Sequence, residues 1–171
     1  DFWYRQYWPA DVNVSGGNAT ITMWSSWKDA SVQSMKGQMQ YSNFEFGSFS
    51  GKRLAVEQLS TRFNSVRNSD NSWLVNVSID HLVTANGSWE PTQISILARP
   101  DAPSYAVNFN FLKMDDLYQV ITTLPQLPDN ITTLAEKYPL RGELRDGRIL
   151  YRPKAANNER LQFDITVSEM D

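Results

Sequence analysis

Few residues of this chain have the type and spacing for chemistry. His81 is the only histidine, and no HxH, HExxH or acidic cluster lies near it to build a metal site or a proton relay. A structural role is the expectation for it. Asp115-Asp116 could form an acid pair, but a helix start explains two carboxylates better, because they favour the positive end of the dipole. There is no cysteine, which excludes disulfides, thiol catalysis and cysteine-based zinc sites. Gly142–Arg148 lacks the glycine spacing and the Lys-Ser/Thr ending of a phosphate loop. Arg141, Arg145, Arg148 and Arg152 recur at helical spacing, which on a helix would make a basic stripe suited to anionic lipid. Gly142, Gly147 and Pro153 argue against a helix there, and on a strand the arginines divide between two faces. Solvated charge is the simpler reading; contact of Arg141, Arg145 and Arg148 with lipid headgroups is the sharper one. No catalytic constellation can be assembled, so the chain reads as non-enzymatic, with no metal site and no cofactor expected.

The six tryptophans admit two uses. Trp24 and Trp27 flank a polar pair and could stack on sugar rings, whereas Trp73 and Trp89 have the character of core or interface anchors. Asn-x-Ser/Thr tripeptides at Asn13, Asn18, Asn76, Asn86 and Asn130 are what an Asn/Ser/Thr-rich sheet face produces by chance. A net charge of −3 argues against nucleic acid, which needs clustered Lys and Arg. Hydrophobic content of 41% is enough for a real core, so disorder is not expected. No apolar run is long enough to span a bilayer as a helix. The chain opens Asp1-Phe2-Trp3 with no initiator Met, as expected of a piece of something longer.

What positions these residues is a repeated alternation of apolar side chains with Ser, Thr, Asn and Gln. Tyr105–Phe111, Leu161–Val167 and Trp73–Ile79 show it most cleanly. A strand sends successive side chains to opposite faces, so each such segment has a dry face and a wet one. Ala19, Ile21 and Met23 belong to a first strand, and Met35, Gly37, Met39 and Tyr41 share a face of a second, with Lys28-Asp29 linking them as a hairpin of unspecified turn type. Phe44, Phe46 and Phe49 follow. Leu54–Phe63 carries Leu59 and Phe63 on one face, and the turn cluster Asn68–Ser72 leads into Trp73–Asp80. Asn86-Gly87 is another turn signal. Thr92–Ala98 and Ser104–Leu112 flank a connection at Pro100–Pro103, and strand character returns over Gly142–Arg152 and Arg160–Ser168. Between them Asp115 can cap a helix with Leu117, Val120, Ile121 and Leu124 on one side. Asp129 can cap a second with Ile131, Leu134, Ala135 and Tyr138.

The expected fold is mainly β: one long, strongly twisted antiparallel meander, a groove or half-pipe folded on itself, with a short helical pair at 115–138 inside a single segment of a larger repetitive protein. Two short helices cannot cover roughly eight to ten half-apolar strands. Either the sheet closes on itself as a sandwich or barrel, or an apolar face stays open for a ligand. The dry-face set is Ile21, Met23, Met39, Tyr41, Leu59, Phe63, Trp73, Val75, Val77, Ile79, Ile94, Ile96, Tyr105, Val107, Phe109, Phe111, Phe163, Ile165 and Val167. It is either plain core or the lining of a groove for acyl chains, for which Met and Phe make adaptable walls.

Three stretches carry a family resemblance. They are Leu54–Phe63; Ser72–Leu82 followed by Gly87-Ser88-Trp89-Glu90-Pro91; and Met114–Ile121 through the Arg141-Gly142-Glu143-Leu144-Arg145-Asp146 strand to Leu150. In this order they resemble the AsmA-like family of bacterial envelope proteins, in particular its long YhdP-type members, with Glu90 inserted into a Trp-Pro turn. The resemblance covers Leu54–Tyr151 well and the flanks loosely. It implies a periplasmic segment of an inner-membrane-anchored, Gram-negative protein whose apolar β-groove conducts phospholipids between the two membranes. The expected partners are then phospholipid or another acyl-chain lipid and the neighbouring segments of the same chain. Raw sheet edges would also allow an edge-strand dimer of the excised fragment. The alternative is an extracytoplasmic β-sandwich that binds carbohydrate or protein through Trp24 and Trp27.

Overall fold

The computed structural model describes residues 12–48, 53–99, 104–123, 141–152 and 161–168. They form one antiparallel sheet. Its strands are β1 (Val12–Ser15), β2 (Asn18–Lys28), β3 (Ser31–Ser48), β4 (Arg53–Arg67), β5 (Trp73–Thr84), β6 (Gly87–Ser88), β7 (Thr92–Arg99), β8 (Ser104–Lys113), β9 (Glu143–Tyr151) and β10 (Leu161–Ser168). One helix, α1 (Met114–Thr123), follows β8 directly. The spatial order is β1-β3-β4-β5-β7-β8-β9-β10, with β2 also on β3 and β6 also on β5. β1 and β2 are successive pieces of one edge strand, broken at Gly16-Gly17, and β6 and β7 are successive pieces of an interior strand, broken at Trp89–Pro91. The chain therefore meanders without a crossover. Among the described residues β10 does not return to pair with β1 or β2, so the sheet is open and neither a barrel nor a second sandwich layer forms.

Alternation forms the strands, and turn chemistry joins them. The β2–β3 hairpin closes on Asp29 and Ala30, both at positive φ (49° and 59°), the backbone of a two-residue type I′ turn. Asn71 at φ 61° closes β4–β5, where Asp70 accepts from both the backbone N–H and the hydroxyl of Ser72. Most strands run longer than the alternation alone predicts: β3 continues through Phe44 to Ser48, and β4 to Arg67. The second predicted helix, at 129–138, lies outside the described residues, as do Phe49, Leu124 and the 100–103 connection.

Extra residues interrupt four steps of the ladders. They fall at Gln33 in β3, Glu57 in β4, Asp80 in β5 and the Asp146-Gly147 pair in β9. Each such bulge bends its strand and increases local twist. α1 contacts the neighbouring strands β3 and β4 and also β8, which β5 and β7 separate from β4, so it lies across one end of the strands. The buried hydrophobics Val56, Trp89 and Phe111 gather at that end, with Phe109 one step away along β8. No described helix is long and apolar enough to cross a membrane.

Candidate functional site

Directly paired residues of an antiparallel ladder share a face, so register alone assembles the surface. One row reads Met23–Gly37–Phe63–Val77–Ile94–Phe109–Gly147 across seven strands. A second reads Met35–Ser65–Val75–Ile96–Val107–Ile149–Phe163. A third reads Ile21–Met39–Thr61–Ile79–Thr92. A fourth joins Trp73, Ala98, Tyr105 and Tyr151, whose two tyrosine rings stack 6.3 Å apart. Tyr41 and Leu59 extend the same face toward α1. The rows together make an apolar band about 20 Å tall along the strands and about 34 Å wide across them.

The row between the first two belongs to the other face and is polar throughout its centre: Lys36–Asn64–Asn76–Ser95–Asn108–Arg148–Asp164. Ser95 donates to Asn76 within it at 2.6 Å. Apart from the Leu112–Leu144 pair, that face has one apolar patch, Val66–Leu74–Leu97–Ala106–Leu150, whose row ends in Ser34 on one side and Gln162 on the other. The dry band instead reaches the β2 edge at Ile21 and Met23 and the β10 edge at Phe163, although its second row meets β2 at Ser25. It runs to both open edges, and its edge residues are the most exposed: Ile21 56%, Met23 59% and Phe163 71%. Phe163 also borders a shallow depression of about 410 Å³ with Arg148, Arg152 and Asp164.

The structure thus gathers seventeen of the nineteen dry-face residues onto one face by direct pairing or alternation. The other two, Ile165 and Val167, fall where alternation breaks. Asp146 is left-handed (φ 49°), the β9–β10 register shifts at Ile165, and Val167 comes to pair with Leu144. Phe111 is drawn into the buried cluster, its ring edge-on to Trp89 at 5.8 Å.

That cluster is built by α1. Asp115 and Asp116 stand in its first turn, as their helix-start reading requires. Asp116 does more. It is 2% exposed and accepts from Thr84 Oγ1 (2.8 Å), Asn86 Nδ2 (2.8 Å) and Trp89 Nε1, fastening the helix to the β5–β6 turn. Next in sequence, Glu90 takes a two-pronged ion pair from Arg145 at 2.7 and 2.9 Å, and Arg145 also donates to Glu143 at 2.7 Å. The hydrogen bonds and charge of Arg145 hold the Glu90 carboxyl below the usual carboxylate range, and the two glutamates raise Arg145 in turn.

The three candidate headgroup arginines do not converge. Arg145 is committed to Glu90 and Glu143, Arg148 sits in the polar row opposite Asp164, and Arg141 is exposed ahead of β9. Their helical spacing has no meaning on a strand, where it is parity that sorts faces. Trp24 and Trp27 likewise do not make one sugar platform. Three residues apart on an unbulged strand, they face opposite sides, Trp24 beside Lys36 and Trp27 bonded to Ser25. His81 is exposed and pairs with Gln58 at 3.0 Å. Among the described residues no group of three His, Cys, Asp or Glu could hold a metal.

The sequence places Gly37 on the face of Met35 and Met39, and Gly147 among the residues that argue against a helix, but it gives neither a packing role. An isolated glycine inside an alternating segment signals a close approach, and both have one. A Cβ on Gly37 would fall 2.7 Å from the Phe63 ring and 2.6 Å from the Thr22 carbonyl; a Cβ on Gly147 would fall 2.0 Å from the Phe109 ring.

Compared with known proteins, the chain matches a family model described as YhdP protein over residues 3–170. No curated protein and no solved structure matches it.

Proposed function

This chain belongs to the YhdP family, of the AsmA-like type, and from that premise we propose that it is a non-enzymatic segment that carries phospholipid acyl chains along its apolar face. In this reading it is a periplasmic piece of a bacterial envelope protein, and the lipid moves between inner and outer membranes. One observation carries the proposal: largely uncovered apolar rows overlap across the sheet, the first running from Met23 on the β2 edge to β9 and the second from Met35 on β3 to Phe163 on the β10 edge. A closed core would be richest in apolar contact at its centre and polar at its margins. Here the band is open at the margins, as a lane continuing into neighbouring segments would be.

The dimensions support it. A face of about 20 by 34 Å exceeds the few hundred Å² of contiguous apolar surface that monomeric proteins ordinarily expose. One acyl tail, half of a hydrocarbon core about 30 Å thick, fits inside it. Each methylene that settles there contributes about 0.8 kcal/mol. The test exploits the parity of a single strand. Val107→Glu places a carboxylate in the lane, and Asn108→Glu places one on the opposite face. Uptake of a fluorescent phospholipid from vesicles is expected to collapse in the first and persist in the second. Equal uptake by both variants would sink the proposal.

A further inference from the structure

The central row of the lane has a pattern that apolarity does not explain. From β2 to β9 it reads Met, Gly, Phe, Val, Ile, Phe, Gly, with the two phenylalanines placed symmetrically and each paired directly with a glycine on its outer side. Both rings lean outward over their glycine. Phe109 covers Gly147 so closely that the three nearest atoms to a Cβ there, at 2.0, 2.5 and 2.6 Å, are all from its ring. Phe63 does the same over Gly37, its ring atoms at 2.7 and 2.9 Å. Phe109 is only 5% exposed, so its ring lies in the floor and does not stand up from it. An aromatic ring laid over a glycine in the facing strand is a known way for sheets to fill the missing side chain.

We propose that Gly37 and Gly147 set the depth of the lane by letting the paired Phe63 and Phe109 rings lie flat, and so decide which acyl chains the lane accepts. This rests on the reading of the apolar face as an acyl lane. The glycines are positioning residues: they touch no lipid themselves and act through the rings. A methyl group at 147 displaces the Phe109 ring from its seat on Gly147, and in this proposal the displaced ring rises into the lane. Gly147 is the cleaner case, since a Cβ on Gly37 would also meet the backbone carbonyl of Thr22.

The experiment measures phospholipid bound to the chain after incubation with vesicles of dioleoyl or diphytanoyl phosphatidylcholine, alongside circular dichroism to follow folding. Wild type is expected to take the straight-chain lipid in preference to the bulkier branched one. Gly147→Ala is expected to bind about tenfold less of either, the loss of about two buried methylenes. Gly147→Ala with Phe109→Ala, which removes the lifted ring, is expected to recover binding. Phe109→Ala alone deepens the floor and is expected to narrow the preference for straight chains; it also decides the matter if Gly147→Ala does not fold. Wild-type binding by Gly147→Ala, failure of the double variant to recover, or an unchanged chain preference in Phe109→Ala would overturn the assignment. Absence of lipid on the wild-type chain would instead overturn the acyl-lane reading beneath it.

Discussion

Single residues secure the α1 end of the face. Asp116 brings a carboxylate into a buried site and meets three neutral donors from the β5–β6 turn and Trp89. Removing it leaves the buried Thr84 hydroxyl and Trp89 indole N–H unpaired, which costs about 1–3 kcal/mol. Asp116→Ala should therefore lose that much stability in chemical denaturation, whereas Asp115→Ala, on a half-buried side chain, should lose far less. Glu90 offers a second test, by pH. Its carboxyl is held low by Arg145, so the folded state binds the proton less well than the unfolded chain. The stabilisation is fully present above the ordinary glutamate value of 4.5 and is lost as pH falls through the depressed folded value. Glu90→Gln should flatten that acid limb of the stability profile and leave the neutral region little changed. A limb of the same steepness in both proteins would show that the Arg145 pair contributes nothing. None of this was legible from residue type: an Asp-Asp pair at a helix start reads as dipole complementarity, and only the fold reveals that the second one is the anchor.

At the scale of elements, the strands were readable because their period is intrinsic to each segment. Tyr105–Phe111 and Trp73–Ile79 show a dry face and a wet face before any partner is known. What could not be read is where the alternation changes phase. The bulges at Gln33, Glu57, Asp80 and Asp146-Gly147 are set by how two strands register against each other, which is a property of the pair. That is why Ile165 and Val167, placed with the others by simple counting, fall at and beyond a shift. It is also why Arg141, Arg145 and Arg148, regular in sequence, scatter in space. β1 was missed because four residues are too few to display a period. The β2–β3 turn makes an element-level prediction. Ala30 holds a left-handed backbone that costs a residue with a Cβ about 1–2 kcal/mol and a glycine almost nothing. Ala30→Gly also gains freedom in the unfolded chain, so the net stabilisation should be near 0.5–1 kcal/mol. A thermal melt in which Ala30→Gly is less stable than wild type would contradict the type I′ assignment.

The whole molecule is a sheet with one face solvated and the other left largely uncovered by what the described residues supply. Sequence composition could pose that imbalance, since two short helices cannot cover so many half-apolar strands, but it could not choose between a conduit and half of a closed core. Register decides the geometry: the dry rows together reach Ile21 and Met23 on β2 and Phe163 on β10, while the larger apolar patch of the opposite face stops at Ser34 and Gln162. Membership of the YhdP family gives that geometry its proposed occupant. The most direct measurement is native mass spectrometry of the chain purified gently from a bacterial envelope, paired with solvent extraction of the same sample. The account predicts discrete mass increments that match phospholipids, released by extraction and depleted in Val107→Glu. A homogeneous lipid-free mass, together with an apolar face that no hydrophobic dye can reach, would contradict it.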